Sequence, residues 1–160
     1  MCNILTLLIF GVAEKSKRHF GNDAKRQHER YYTMKTITVA TKELEGISLD
    51  WAVAIATKQA VWCEQGMIFQ HGDGFPEYYQ PSANWNQAGK LIEQYNVWLS
   101  SQDKESGNRV NIASCSPHVD AAIQQGQTAL IAACRAIVMM ALGACVEIPD
   151  LIKGRYASDK

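Results

Sequence analysis

One segment near the C-terminus, ALIAACRAIVMMAL (Ala129 to Leu142), constrains this chain more than any other. It reads as a helix with apolar residues on every side and a single charge, Arg135. A helix without a polar face has to be enclosed, so the remaining elements must wrap it. Thr128 offers an N-cap, Gly143 a C-cap and Pro149 a stop. With 160 residues the chain can build one such core without help from metals or disulfides.

The elements that precede it can be read from periodicity. Lys35 to Thr41 alternates Ile37 and Val39 with Thr36 and Thr38, the pattern of a half-buried edge strand. Ser48 then caps a helix from Leu49 to about Cys63, whose Leu49, Val53, Ala56 and Ala60 line faces the core and is widened by Trp51, Ile55 and Trp62. Asp50 falls in its first turn, where the helix dipole favours a negative charge. Glu64 to Gln80 reads as a loop rich in aromatics, within which Met67, Ile68 and Phe69 can form a short strand. Pro81 and Ser82 open a second helix, Ala83 to about Tyr95, with Trp85, Ala88, Leu91, Ile92 and Tyr95 inward and Asn84, Gln87, Lys90 and Gln94 outward. Asn96 to Ser100 and Arg109 to Cys115 alternate as the two arms of a hairpin joined by SQDKESGN. Ser116 and Pro117 suggest a helical turn through His118, Val119 and Ala122. The expected fold class is α+β: three main helices packed on a small antiparallel sheet, with the apolar C-terminal helix central.

Apolar residues make up 47% of the chain and charged residues 20%, ordinary values for a globular protein, and no stretch is long enough to span a membrane. Residues 1–33 hold six Lys or Arg and three acids. Residues 34–160 hold ten and thirteen, a balance of −3 that disfavours generic binding to a phosphate backbone. The five cysteines form no CxxC pair, and three lie in or beside apolar runs, as expected of reduced, buried thiols in a cytoplasmic protein. The opening MCNILTLLIFGVA lacks a basic n-region and a cleavage site. Residues 1–33 are therefore read either as an upstream leader outside the fold or as an amphipathic anchor in which Ile4, Leu7, Leu8, Ile9 and Phe10 meet a membrane surface. This leaves residues 34–152 as a single domain and 153–160 as a tail.

Three stretches carry a resemblance: ELEGISLDWAVA (Glu43 to Ala54), QPSANWNQAGKLIE (Gln80 to Glu93) and GQTALIAACRAIVMMALGACVEIPDLI (Gly126 to Ile152). The most specific parts are the LDWAVA helix, the Ser82-to-Trp85 helix start and the TxLIAAxR segment from Thr128 to Arg135. Together they resemble the NinX-like family of small proteins from lambdoid phages and prophages. The resemblance implies a phage or prophage origin. It implies no defined biochemical activity and no catalytic residues.

Candidate ligand-binding residues come from two groups. Arg135, charged in an apolar segment, either pairs with Asp50, Glu93 or Glu147 or binds an anion with Lys90 as a second cation. Trp51, Phe75, Tyr78, Tyr79 and Trp85 either pack as core or converge as a stacking pocket, with Asn84 and Asn86 for polar recognition. The tentative site is thus Trp51, Tyr78, Tyr79, Asn84, Trp85, Lys90 and Arg135. His71 with Asp73, and Cys115 with His118 and Asp120, do not complete a metal or nucleophile set, so no catalytic residue, metal or cofactor is expected. The chain carries no phosphate-cradling glycine-rich loop, HExxH or GxSxG motif. The expected function is that of a phage accessory protein, a non-enzymatic binding module acting on a host or phage protein. The alternative is a binder of a small planar or anionic, nucleotide-like ligand.

Overall fold

A computed structural model of the chain describes residues 35–72, 74–103, 109–115 and 123–153. The expected leader, Asp73, most of the SQDKESGN connection, the turn through His118 and Asp120, and the tail beyond Lys153 lie outside the described residues. The architecture is α+β, with helices and small antiparallel sheets. Among the described residues, the single small sheet expected from the sequence is replaced by three, of two, three and three strands.

β1 (Thr36–Ala40) pairs antiparallel with β8 (Cys145–Pro149), Val39 standing opposite Val146 and Ile37 opposite Ile148. The sequence reading assigns no strand after Gly143. β8 forms because buried Val146 and Ile148 alternate with exposed Cys145 and Glu147. A 3₁₀ turn at Thr41–Glu43 follows β1, and Thr41 ties both ends of the pair together: its amide donates to Ala144 O at 2.8 Å and its hydroxyl to Gly143 O at 2.6 Å.

α1 (Gly46–Thr57) starts earlier and stops sooner than expected. Glu45 is the N-cap and Ser48 the third helical residue, the two closing a reciprocal capping box. The helix ends where Lys58 turns left-handed at φ 56°, and Thr57 Oγ1 bonds back to Val53 O. Ala60 to Cys63 therefore leaves the helix and enters β2 (Val61–Glu64), so Trp62 is a strand residue. A short apolar run such as AVWC fits either state, and the turn that follows decides it. Gln65 and Gly66, at φ 50° and 75°, make a two-residue connection to β3 (Met67–His71). β4 (Pro76–Tyr78) completes this sheet, so most of the expected loop is strand.

α2 (Trp85–Gln94) begins two residues later than expected, because Asn84 rather than Ser82 caps it, its Oδ1 accepting from Asn86 N at 2.9 Å. β5 (Trp98–Asp103) and β6 (Arg109–Ser114) form the expected hairpin, and β7 (Gln124–Gly126) adds a third strand on β6. α3 (Ala129–Leu142) has the expected bounds, with Thr128 Oγ1 accepting from Ile131 N and Gly143 as C-cap. A one-turn helix, α4 (Asp150–Lys153), follows β8.

Buried apolar side chains fall into two clusters. One gathers Leu44, Leu49, Val53, Ile68, Tyr79, Val146 and Ile148 with Cys134 and Val138 of α3. The other gathers Val97 and Ala113 with Ala132, Ala133, Ala136 and Ile137 of α3. α3 thus contributes to both, and its residues from Ala132 to Val138 are all buried.

Candidate functional site

The three-stranded sheet of β2, β3 and β4 shows two different faces. Alternation and register put Val61, Ile68 and Gln70 on one side and Trp62, Glu64, Met67, Phe69, His71 and Tyr78 on the other. Ile68 is buried in the first cluster and Val61 packs against it, so the second set faces outward. Phe69 stands directly across from both Trp62 and Tyr78, and the three rings form a ladder. Trp62 and Phe69 are stacked at 5.8 Å and 18°, Phe69 and Tyr78 are tilted at 4.9 Å and 33°, and His71 leans on Trp62 at 4.8 Å. Rings at these separations gain about 0.5–1.5 kcal/mol per pair beyond their burial. Tyr78 is nonetheless 52% exposed and Phe75, in the β3–β4 turn, 82%.

An open cleft of about 530 Å³ lies between the outer edge of β4 and α2. Gln70, Pro76, Glu77, Tyr78 and Gln80 line it on the sheet side, and Asn84, Asn86, Gln87 and Lys90 on the helix side. Gln87, expected to face outward, crosses the gap: its Nε2 donates to Tyr78 O at 2.6 Å and its Oε1 accepts from Gln80 N at 2.7 Å. Across the sheet, Gln70 accepts from Gln59 Nε2 and donates to Glu77 Oε2, each at 3.4 Å. The cleft is rich in amides, with Lys90 its one cation and Glu77 its one carboxylate.

The seven residues singled out from sequence do not gather in one place. Tyr78, Asn84 and Lys90 share the cleft. Trp85, at the start of α2, is 57% exposed and outside its lining. Trp51 packs partly buried against the first core cluster, and Tyr79 is buried within it. Burial pushes the Tyr79 phenol far up, and its buried oxygen has no hydrogen-bond partner among the described residues. Arg135 is buried too: Nε donates to Leu44 O at 3.0 Å, Nη1 to Gln125 O at 2.7 Å and Nη2 to Glu45 Oε1 at 3.2 Å. Its carboxylate partner is Glu45, not Asp50, Glu93 or Glu147.

Trp62, Phe69, Gln70 and Gln87 were missed as site residues. The alternation of MIFQH and the Gln65-Gly66 turn are the signals that place the first two on one outward face. Nothing in the sequence marks Gln87, because its role depends on where α2 lies against β4.

The entry to α2 is held by Asp50, whose Oδ1 accepts from Ser82 N at 2.8 Å. The carboxylate therefore tethers two elements, beyond the dipole role expected of it. Burial raises its pKa from 3.8 to about 6, with the Ser82 amide and hydroxyl offsetting part of that cost. A raised acid pKa means that the folded chain holds the proton more tightly than the unfolded one. Asp50 thus contributes most favourably below about pH 3.8, and that contribution declines as pH rises to about 6. Asp50→Asn keeps the acceptor for Ser82 N–H and removes the charge. Its stability relative to wild type should climb between pH 4 and 6.5 by up to about 3 kcal/mol. Urea denaturation of both chains across that range checks this, and a difference independent of pH would refute it.

Cys115 is half-buried and its thiol is pushed up to about 11 by desolvation, which keeps it protonated at neutral pH. His118 and Asp120, its expected companions, lie outside the described residues. Among the described residues no group of three His, Cys, Asp or Glu could hold a metal ion, and no helix is long and apolar enough to cross a membrane.

The family model described as Bacteriophage P22, NinX matches residues 40–141, well over half of the chain. That span runs from the end of β1 almost to the end of α3 and takes in the aromatic sheet, the cleft and the hairpin. No curated protein matches the chain.

Proposed function

From the chain's membership of the Bacteriophage P22 NinX family, we propose that it is a phage or prophage accessory protein working as a non-enzymatic binding module on a host or phage protein. The module is residues 34–152 organised around α3, with residues 1–33 a leader, and it acts in the host cytoplasm. The observation that carries the reading is the outward face of β2, β3 and β4, where a ladder of half-buried rings, Trp62 and Phe69, ends in exposed Tyr78 with exposed Phe75 beside it in the chain. Large rings at a surface are the usual anchors of protein interfaces. Phe75 and Tyr78 are exposed enough to be changed with the fold kept, at the cost of the Tyr78–Phe69 ring contact. The full chain, immobilised, should retain the same protein from infected and reconstituted preparations. A Phe75→Ser, Tyr78→Ser double variant that still melts cooperatively should retain at least tenfold less. Equal retention by the two would refute the reading.

The cleft favours a second reading, a small planar or anionic ligand stacked on Tyr78, with Asn84 for polar recognition and Lys90 for charge. A nucleotide panel separates the two. A rise in melting temperature of several degrees that is lost in Lys90→Ala supports the small ligand, and no rise with any nucleotide counts against it.

A further inference from the structure

The aromatic face carries a charge pattern that narrows what can dock there. From Gln59 to Gly89 the chain has no Lys or Arg, so His71 is the one basic side chain of β2, β3, β4 and their turns. Exposed Glu64 lies on the same face as Trp62, directly across from Met67. Glu77 stands across from Gln70 on the opposite face of the sheet and accepts from its amide, so Glu64 is the carboxylate among the rings. The rings present electron-rich faces, which attract a cation and repel an anion. A planar guanidinium meets such a surface best, because it can stack on a ring while its N–H groups reach a carboxylate. A phosphate backbone would find no lysine or arginine on this face and would meet the Glu64 carboxylate, and residues 34–160 carry a net −3.

We propose that the outward face of β2, β3 and β4, with the Trp62–Phe69–Tyr78 ladder, Phe75 and Glu64, docks an arginine-bearing segment of the partner protein. This rests on the binding-module reading and specifies where the partner sits and what chemistry it brings. Arginine side chains lie over Tyr78 and Phe69, and one guanidinium pairs with Glu64. The exposed Phe75 adds apolar contact at the end of the sheet.

The test places a photo-crosslinking phenylalanine at Phe75 in the full chain, and separately at Trp98, an exposed position on β5. Mass spectrometry then identifies the crosslinked residues. A synthetic peptide of the segment caught at Phe75 should contain arginine, and replacing its arginines by neutral citrulline should weaken binding at least tenfold. Glu64→Lys should weaken it about tenfold with no change in melting temperature, while Glu64→Gln should fall between the two. Capture at Phe75 of a segment without arginine, of nucleic acid, of residues 1–33 or of a second copy of this chain would overturn the proposal, as would equal binding of the citrulline peptide. Crosslinking at Trp98 alone would overturn it and leave the binding-module reading standing. Absence of any protein crosslink at both positions would defeat both.

Discussion

Arg135→Met should lower the free energy of unfolding by about 2–4 kcal/mol, the cost of leaving two carbonyl groups without their donor. Methionine fills much of the same volume, so the cost is polar. Leu44 O and Gln125 O each lose the guanidinium donor found here at 3.0 and 2.7 Å. Glu45 contributes less, because its side chain is 55% exposed and water can take over when the pair is broken. Glu45→Gln should therefore cost under about 1 kcal/mol, and Arg135→Lys, which cannot reach three acceptors in a fork, should fall between the two. Denaturant midpoints for the three variants check the order. An Arg135→Met chain as stable as wild type would show that the guanidinium does not hold α3 to Leu44 and β7.

Gly126→Ala should be nearly as damaging, at about 3 kcal/mol, the upper end for overpacking. Gly126 lies on β7 opposite Asn111, against the first turn of α3. A Cβ there would come within 2.5 Å of Ala132 N and 3.0 Å of Thr128 O, and backbone atoms cannot swing aside as a side chain can. β7 would have to part from α3 or from β6. Gly143→Ala is the control, since that glycine has nothing near its missing Cβ but a φ of 92°. Its cost is backbone strain alone, about 1–2 kcal/mol. Equal losses at the two positions would mean that contact with α3 is not what excludes a side chain at Gly126.

The contrast between these helices and the strands shows what the sequence could reveal. α3 was legible to its end residues, because its cap, its stop and its unbroken apolar content all agree. The β5–β6 hairpin was legible because alternation and turn chemistry coincide. β8, β7 and β4 were not, since strands of three to five residues gain their identity from a partner far away in the chain. The same holds for the site. Tyr78, Asn84 and Lys90 line one cleft, but Trp51 and Tyr79 turn inward and Arg135 is held by Leu44, Gln125 and Glu45, away from Lys90's place in that lining. An arginine in an apolar helix announces that it needs acceptors. It does not announce that two of them will be main-chain carbonyls at Leu44 and Gln125.

The Gln87 amide has a consequence for how this protein meets other chains. Tyr78 O and Gln80 N, two residues apart, point away from β3 and offer the donor–acceptor spacing that an incoming strand would recognise. Gln87 fills both sockets at once, a side chain imitating the missing fourth strand. The rim of the sheet is plugged there against templated growth, a common hazard of unprotected edges. A further strand arriving at β4 finds that stretch of main chain already engaged.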